Sequence, residues 1–172
     1  SYYSKENNPY HCYNYRIFVA EVASTVNEML LYKHMLKKTD KKEEKLVILN
    51  NLLELFKGTI YRQTMFAEFE RDIYAKVENG EIITYDLLCD EYYKLNKKYF
   101  GDNVVVDEEI KYEWARIPHF YMNFYVYQYA TGLSAAAAIV TDILENKENA
   151  KENYLKFLTL GGSMYPIDEL KV

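Results

Sequence analysis

Ile17-Phe18-Val19-Ala20-Glu21-Val22-Ala23-Ser24-Thr25-Val26-Asn27-Glu28-Met29-Leu30 decides the fold class of this chain. Phe18, Val22, Val26, Met29 and Leu30 recur at the spacing of one buried helical face, which predicts a helix from about Tyr15 to Lys37. Glu21 interrupts the otherwise apolar or small-residue stretch from Ile17 to Val26. An ionised glutamate is taken out of water only when a cation or a tight hydrogen-bond partner compensates it, and a bound metal is one such partner. On spacing alone the other reading is a carboxylate paired with Arg16 or with a tyrosine hydroxyl, and both stay open here. Ser24 and Glu28 follow Glu21 at i+3 and i+7, while Ala20 and Ala23 leave room for a second helix to approach closely. Glu28 is a candidate to bond Glu21, or else a surface residue.

Further helices flank the first. Thr39-Asp40-Lys41-Lys42 ends it, and a long helical stretch is expected from about Glu43 through Val77, with Gly58 dividing it. Asn79-Gly80 is a strong stop, after which Thr84 can cap a helix to about Tyr99, ended by Gly101-Asp102-Asn103. Val104-Val105-Val106 is at most a turn or an isolated strand, and Asp107 can cap one more helical turn. Pro118 suits the first turn of a helix, since its missing N–H has no intrahelical partner there. That helix is expected to continue through Ala135-Ala136-Ala137-Ala138 to Glu145. Asn149 to Leu160 forms another, stopped by Gly161-Gly162, and Pro166 opens a last one. With no alternating strand pattern, internal repeat or low-complexity linker, the class is all-α, a multi-helix bundle. The start lacks a methionine and the last helix is short, so both ends are expected to be truncated.

Composition narrows the partners. The 172 residues are 49% hydrophobic and 27% charged, enough for a packed core that removes roughly 70% of the unfolded surface from water. A formal net charge of -5 without a basic stripe argues against nucleic acid, and no apolar run is long enough for a membrane helix. Cys12 and Cys89 belong to no CxxC pair, which points to reduced thiols and a cytoplasmic setting. Tyrosine is over-represented, at 19 residues, and suits water-containing clefts or peptide-binding surfaces.

The second unusual segment is Arg116-Ile117-Pro118-His119-Phe120-Tyr121-Met122-Asn123-Phe124-Tyr125-Val126-Tyr127-Gln128-Tyr129-Ala130-Thr131-Gly132. On a continuous helix Asn123 and Tyr127 lie within about 80° of His119, while Tyr121, Tyr125 and Tyr129 point elsewhere. His119 and Tyr127 are then expected to line one cleft, where their donors suit the stabilisation of a tetrahedral intermediate. The plainer alternative is a backbone-bonded histidine and tyrosines that pack between helices. No HExxH, CxxC, phosphate loop or serine nucleophile elbow is present, and His11, Cys12 and His34 lack a convincing ligand spacing. A catalytic zinc site takes three protein ligands plus water, and one good candidate is visible.

Arg16 to Glu28, Tyr61-Arg62-Gln63-Thr64-Met65-Phe66-Ala67-Glu68-Phe69-Glu70, and Ile117 to Tyr121 with Tyr125 to Gly132 together closely resemble the oligoendopeptidase F branch of the M3 zinc metallopeptidases. The resemblance runs over nearly the whole chain in order. It implies a zincin-type helical catalytic domain, of which residues 1–172 form a single helical segment in the C-terminal portion. It also implies that Glu21 is the third zinc ligand. The two histidine ligands and the general base belong to an HExxH helix, which this chain lacks and which the family places just before it. His119, with Tyr127 or Tyr125, is implied to hold the substrate and polarise the scissile carbonyl.

The implied activity of the intact parent is zinc-dependent cleavage of internal bonds in short peptides. The fragment alone is expected to be inactive, not to retain Zn2+, and to self-associate through apolar surface left bare by the absent HExxH segment. The competing class is a non-catalytic helical module that binds a peptide or protein, with Glu21 simply paired.

Overall fold

The computed structural model describes residues 2–171. Helices are the only regular elements among them, so the all-α expectation holds. They are α1 (Tyr2–Asn7), α2 (Ile17–Lys38), α3 (Lys42–Phe56), α4 (Arg62–Glu78), α5 (Tyr85–Phe100), α6 (Tyr127–Leu144), α7 (Ala150–Phe157) and α8 (Pro166–Glu169). A π-helical turn, Lys57–Tyr61, joins α3 to α4. Gly58 lies within it, so the expected division of the long helix is a widened turn rather than a stop. Contacts divide the chain into two units: residues through Phe56 with those from Thr131 onward, and Lys57–Ala130.

In the first unit α2 buries Val19, Val22, Val26 and Met29, one stripe at alternating three- and four-residue spacing. Lys37 and Lys38 occupy its last turn, where positive charge complements the helix dipole, and the Thr39 N–H closes the end on the Met35 carbonyl at 3.1 Å. Leu133, Ala136 and Val140 of α6 and Tyr154 and Phe157 of α7 complete much of the buried set. The Tyr154 hydroxyl donates to the Ala23 carbonyl (3.3 Å) and accepts from the Asn27 amide (3.2 Å), which ties α7 to α2. On α3 only Ile48 is buried, and Leu46, Val47, Leu49 and Leu53 are exposed.

The second unit has an aromatic core. Met65, Phe66 and Phe69 of α4 pack with Tyr92 and Leu95 of α5, and with Ile117 and Val126. The Phe69 and Tyr92 rings meet edge to face at 5.3 Å, the arrangement favoured by ring quadrupoles. α5 has the expected ends: the Thr84 hydroxyl accepts from the Leu87 N–H at 3.3 Å, and Gly101 follows the last turn with φ of +72°. Beyond it the chain departs from expectation. Asp107 makes no side-chain cap, and Glu108–Arg116 runs as nine residues of 3-10 helix instead of one turn. Glu113 fastens that segment by accepting from Tyr92 (2.7 Å), Arg62 (2.6 Å) and Arg116.

The larger correction concerns the helix expected from Pro118 to Glu145. Pro118 does start a helical turn, but Pro118–Tyr121 is a single 3-10 turn, and regular helix resumes only at Tyr127. Two residues break it. Met122 is extended, with φ of -118° and ψ of 96°, and Phe124 is left-handed, with φ of +56°. The Phe124 N–H, which a continuous helix would direct to a carbonyl four residues back, donates instead to Oε1 of Glu70 at 2.7 Å.

Candidate functional site

Glu21 sits on the second turn of α2 and is partly exposed rather than buried. That corrects the expectation of a carboxylate held out of water. The other expectation for it, a pairing with Arg16 or a tyrosine, is not realised either. Among the described residues Glu21 has no hydrogen bond or ion pair, and Arg16 is exposed at the helix start. Gly132 of α6 lies against the base of the side chain: a Cβ on it would stand 3.8 Å from both the Glu21 Cβ and a Val22 methyl. Ser24 and Glu28 do not join Glu21. Both are exposed, and Glu28 accepts from the Tyr32 hydroxyl at 3.3 Å.

The metal question can be tested on these residues. Among those described, no group of three or more His, Cys, Asp or Glu residues could hold an ion. A half-buried carboxylate with no internal partner, on a helix face where a glycine leaves its base uncrowded, fits one oxygen ligand of a zinc site. Glu21 is an oxygen donor of the type zinc takes, and the described residues bring no group of three such side chains together around it.

In the second unit His119 lies in the Pro118–Tyr121 turn, and its ring is parallel to that of Tyr125, with centroids 5.3 Å apart and planes within 4°. Tyr129, one turn along, meets His119 edge-on at 5.9 Å and Tyr125 edge-on at 5.5 Å. The Tyr129 hydroxyl donates to that of Tyr125 at 3.4 Å, a long bond. All three residues are partly exposed.

A continuous helix would put Tyr127 in the His119 cleft and turn Tyr125 and Tyr129 away. The break at Phe124 cancels that phase, and Tyr125 and Tyr129 are the rings set against His119. Tyr127 opens α6 and is half exposed.

Sequence reasoning also passed over Glu70 and Tyr74 on α4. Glu70 is 6% exposed, and burial pushes its carboxyl above the usual carboxylate range, with the Phe124 N–H pulling it part of the way back. The Tyr74 hydroxyl donates to Oδ1 of Asn123 at 2.8 Å, and its ring lies 5.1 Å from that of Phe124. The signal that singled out Glu21, an acid on an apolar helical stripe, was present at Glu70 beside Met65, Phe66 and Phe69.

Residues 1–172 match Peptidase family M3 along their whole length. This chain belongs to that family. Over 171 residues, M3 peptidase similarity to Oligopeptidase PepF of Bacillus subtilis (strain 168) reaches 56% identity, covering 99% of this chain and 26% of that protein. The chromosomal Oligoendopeptidase F of Lactococcus lactis subsp. cremoris is 45% identical over 98% of this chain and 28% of its own length. The crystal structure of oligoendopeptidase-F from Enterococcus faecium superposes with a TM-score of 0.86 at 48% identity, over 91% of this chain and 30% of that one. A solved chain from Chlamydophila abortus, also 48% identical, gives a TM-score of 0.93 over 99% of this chain and 29% of its own. This M3 chain thus spans between a quarter and a third of the length of these relatives.

Proposed function

We propose that this chain is the C-terminal portion of the catalytic domain of a zinc-dependent oligoendopeptidase that hydrolyses internal bonds of short peptides. The observation that carries the reading is the Glu21 carboxylate, which has no hydrogen bond or ion pair among the described residues and lies beside Gly132 of α6. No neighbour within this chain takes up the carboxylate, which leaves its oxygens open to an ion. When bound, Zn2+ supplies Lewis-acid polarisation of the scissile carbonyl and a more acidic water.

The chain's own residues have separate tasks. Glu21 contributes one anionic oxygen to the metal. His119 and Tyr125 offer N–H and O–H donors toward the carbonyl oxygen as negative charge develops on it, with Tyr129 backing their rings. Tyr127, half exposed at the start of α6, contacts the peptide. The two histidine ligands and the general base come from outside this chain, so the chain is inactive and metal-free by itself.

Exposed Leu46, Val47, Leu49 and Leu53 on α3 support self-association of the isolated chain. Two free cysteines, Cys89 buried, support a cytoplasmic setting. Among the described residues no helix is long and apolar enough to cross a membrane.

The test is Glu21→Ala in a longer peptidase that contains this chain. Loss of stoichiometric zinc and of peptide cleavage, with far-UV helicity kept, is the expected result. Unchanged zinc content and normal turnover would remove Glu21 from the metal site.

A further inference from the structure

Glu70 is a buried acid with no basic partner among the described residues. Among the described residues its carboxylate forms no ion pair, and one hydrogen bond to it is found, from the Phe124 N–H. If filling space were its task, a leucine or methionine would do so without the cost of desolvating a carboxylate. The acceptor is what the glutamate adds.

Phe124 is where an acceptor is needed. A bulky residue with φ of +56° occupies a region that L side chains rarely enter, and surrounding contacts must over-determine it to persist. Its side chain is 54% exposed, so burial of the ring does not supply that determination. Glu70 bonds its N–H at 2.7 Å, and Tyr74 grips the same turn from one helical turn further along α4, through Asn123 and through the Phe124 ring.

The turn so held is the one that aligns the His119 stack. The Met122 N–H donates to the His119 carbonyl at 3.0 Å, and the Tyr125 N–H donates to the Met122 carbonyl at 3.1 Å. Phe124 is the residue before Tyr125. A rotation at Phe124 therefore changes the direction in which the Tyr125 ring leaves the chain, while His119 is held by Pro118 and the preceding 3-10 turn.

We propose that Glu70 is a positioning residue: its carboxylate fixes the left-handed turn at Phe124 and thereby holds Tyr125 parallel to His119. The geometric part concerns the second unit alone. Its catalytic consequence rests on the functional reading above, in which His119 and Tyr125 touch substrate.

The test reads structure and turnover separately. In this 172-residue chain, Glu70→Ala is expected to lower amide-exchange protection at Phe124 about tenfold or more, the scale of losing a hydrogen bond to a charged group. His119 ring-proton shifts should move at the same time, as the Tyr125 ring leaves. Glu70→Gln keeps an acceptor and should restore both signals. Phe124→Gly in the Glu70→Ala background should restore the stack, because glycine enters positive φ without steric cost. In the unsubstituted chain, the Phe124 amide resonance should titrate with the Glu70 carboxyl carbon at one midpoint.

Unchanged Phe124 exchange and His119 shifts in a folded Glu70→Ala chain would overturn the proposal. So would independent titrations, which can be read even if Glu70→Ala fails to fold. In a longer peptidase containing this chain, Glu70→Ala should lower kcat with zinc content and KM held. If that protein binds no zinc and cuts no peptide, the functional reading fails, while the exchange data still decide the role of Glu70.

Discussion

The His119 imidazole and the Tyr125 phenol lie face to face, 5.3 Å between centroids and 4° from parallel. Stacking on Tyr125 covers one face of the imidazole and fixes its plane, while both nitrogens lie on the ring edge rather than on that face. The phenol ring does the fixing; its hydroxyl, 3.4 Å from that of Tyr129, is a separate donor.

Ring and hydroxyl can be separated by substitution. Tyr125→Phe should leave the His119 ring-proton shifts near their original values, since the stacking face survives. Tyr125→Ala should move them toward those of a free histidine. In a longer peptidase containing this chain, Tyr125→Phe is expected to lower kcat by roughly 10²-fold, the scale of one lost oxyanion donor, with zinc content unchanged. Full activity in Tyr125→Phe would restrict Tyr125 to a packing role and return the donor to Tyr127.

Two carboxylates should give the chain opposite pH slopes. Burial alone would raise the Glu113 carboxyl, but the Tyr92 hydroxyl and the Arg62 and Arg116 guanidinium groups outweigh it and hold the carboxyl below the usual range. Its folded pKa lies under the unfolded value of about 4.3, so its stabilisation is complete above that value and is lost as pH falls through the folded pKa. Glu169 is the reverse case. It is 1% exposed, its Oε2 has no partner among the described residues, and burial raises its pKa. The folded chain then holds a proton that the unfolded chain releases, so the contribution is present below about 4.3 and lost as pH rises through the folded value. Glu113→Gln should cost about 1–3 kcal/mol at neutral pH and flatten the acid limb of stability. Glu169→Leu should gain about 1 kcal/mol at neutral pH and nothing in acid. Urea-unfolding midpoints measured from acid to neutral pH check both, and a loss of neutral-pH stability in Glu169→Leu would contradict the assignment.

What could be read in the sequence was what local chemistry decides. The apolar stripe of α2, the Thr84 cap and the positive-φ Gly101 are set within a few residues, and all three stand where the pattern places them. The break at Phe124 is different in kind. Its cause is a carboxylate 54 residues away, and nothing within the segment Pro118 to Tyr127 signals it. Helical phase alone therefore does not place Tyr125 and Tyr129 against His119, although the residue types that build the cluster are evident in the sequence. Glu21 shows a second limit: an acid on an apolar stripe marks a position worth attention, but how far it is withdrawn from water depends on the neighbouring helix, here Gly132.

Two glycines of the first unit should respond oppositely to a methyl group. Gly132 lies within α6, where alanine is favoured over glycine by up to about 1 kcal/mol, and the added Cβ would rest at 3.8 Å from Glu21 and Val22, ordinary contact. Gly132→Ala should be neutral or stabilise by about 0.5–1 kcal/mol. Gly161 has φ of +61°, and a Cβ there would meet the Cys12 carbonyl oxygen and the Ser4 hydroxyl, both at 2.7 Å. Those atoms belong to the segment that α1 and its following loop lay against the Gly161-Gly162 turn, where the Gly162 N–H donates to the same Cys12 carbonyl at 2.8 Å. Relief would require that segment to lift, so Gly161→Ala should lose at least about 1–2 kcal/mol from the left-handed backbone alone and expose α1 to proteolysis. Urea midpoints and the rate of cleavage near Asn7 measure the two effects. A strongly destabilised Gly132→Ala would mean that α6 sits closer to Glu21 than this geometry has it, which would leave the carboxylate less room for an ion.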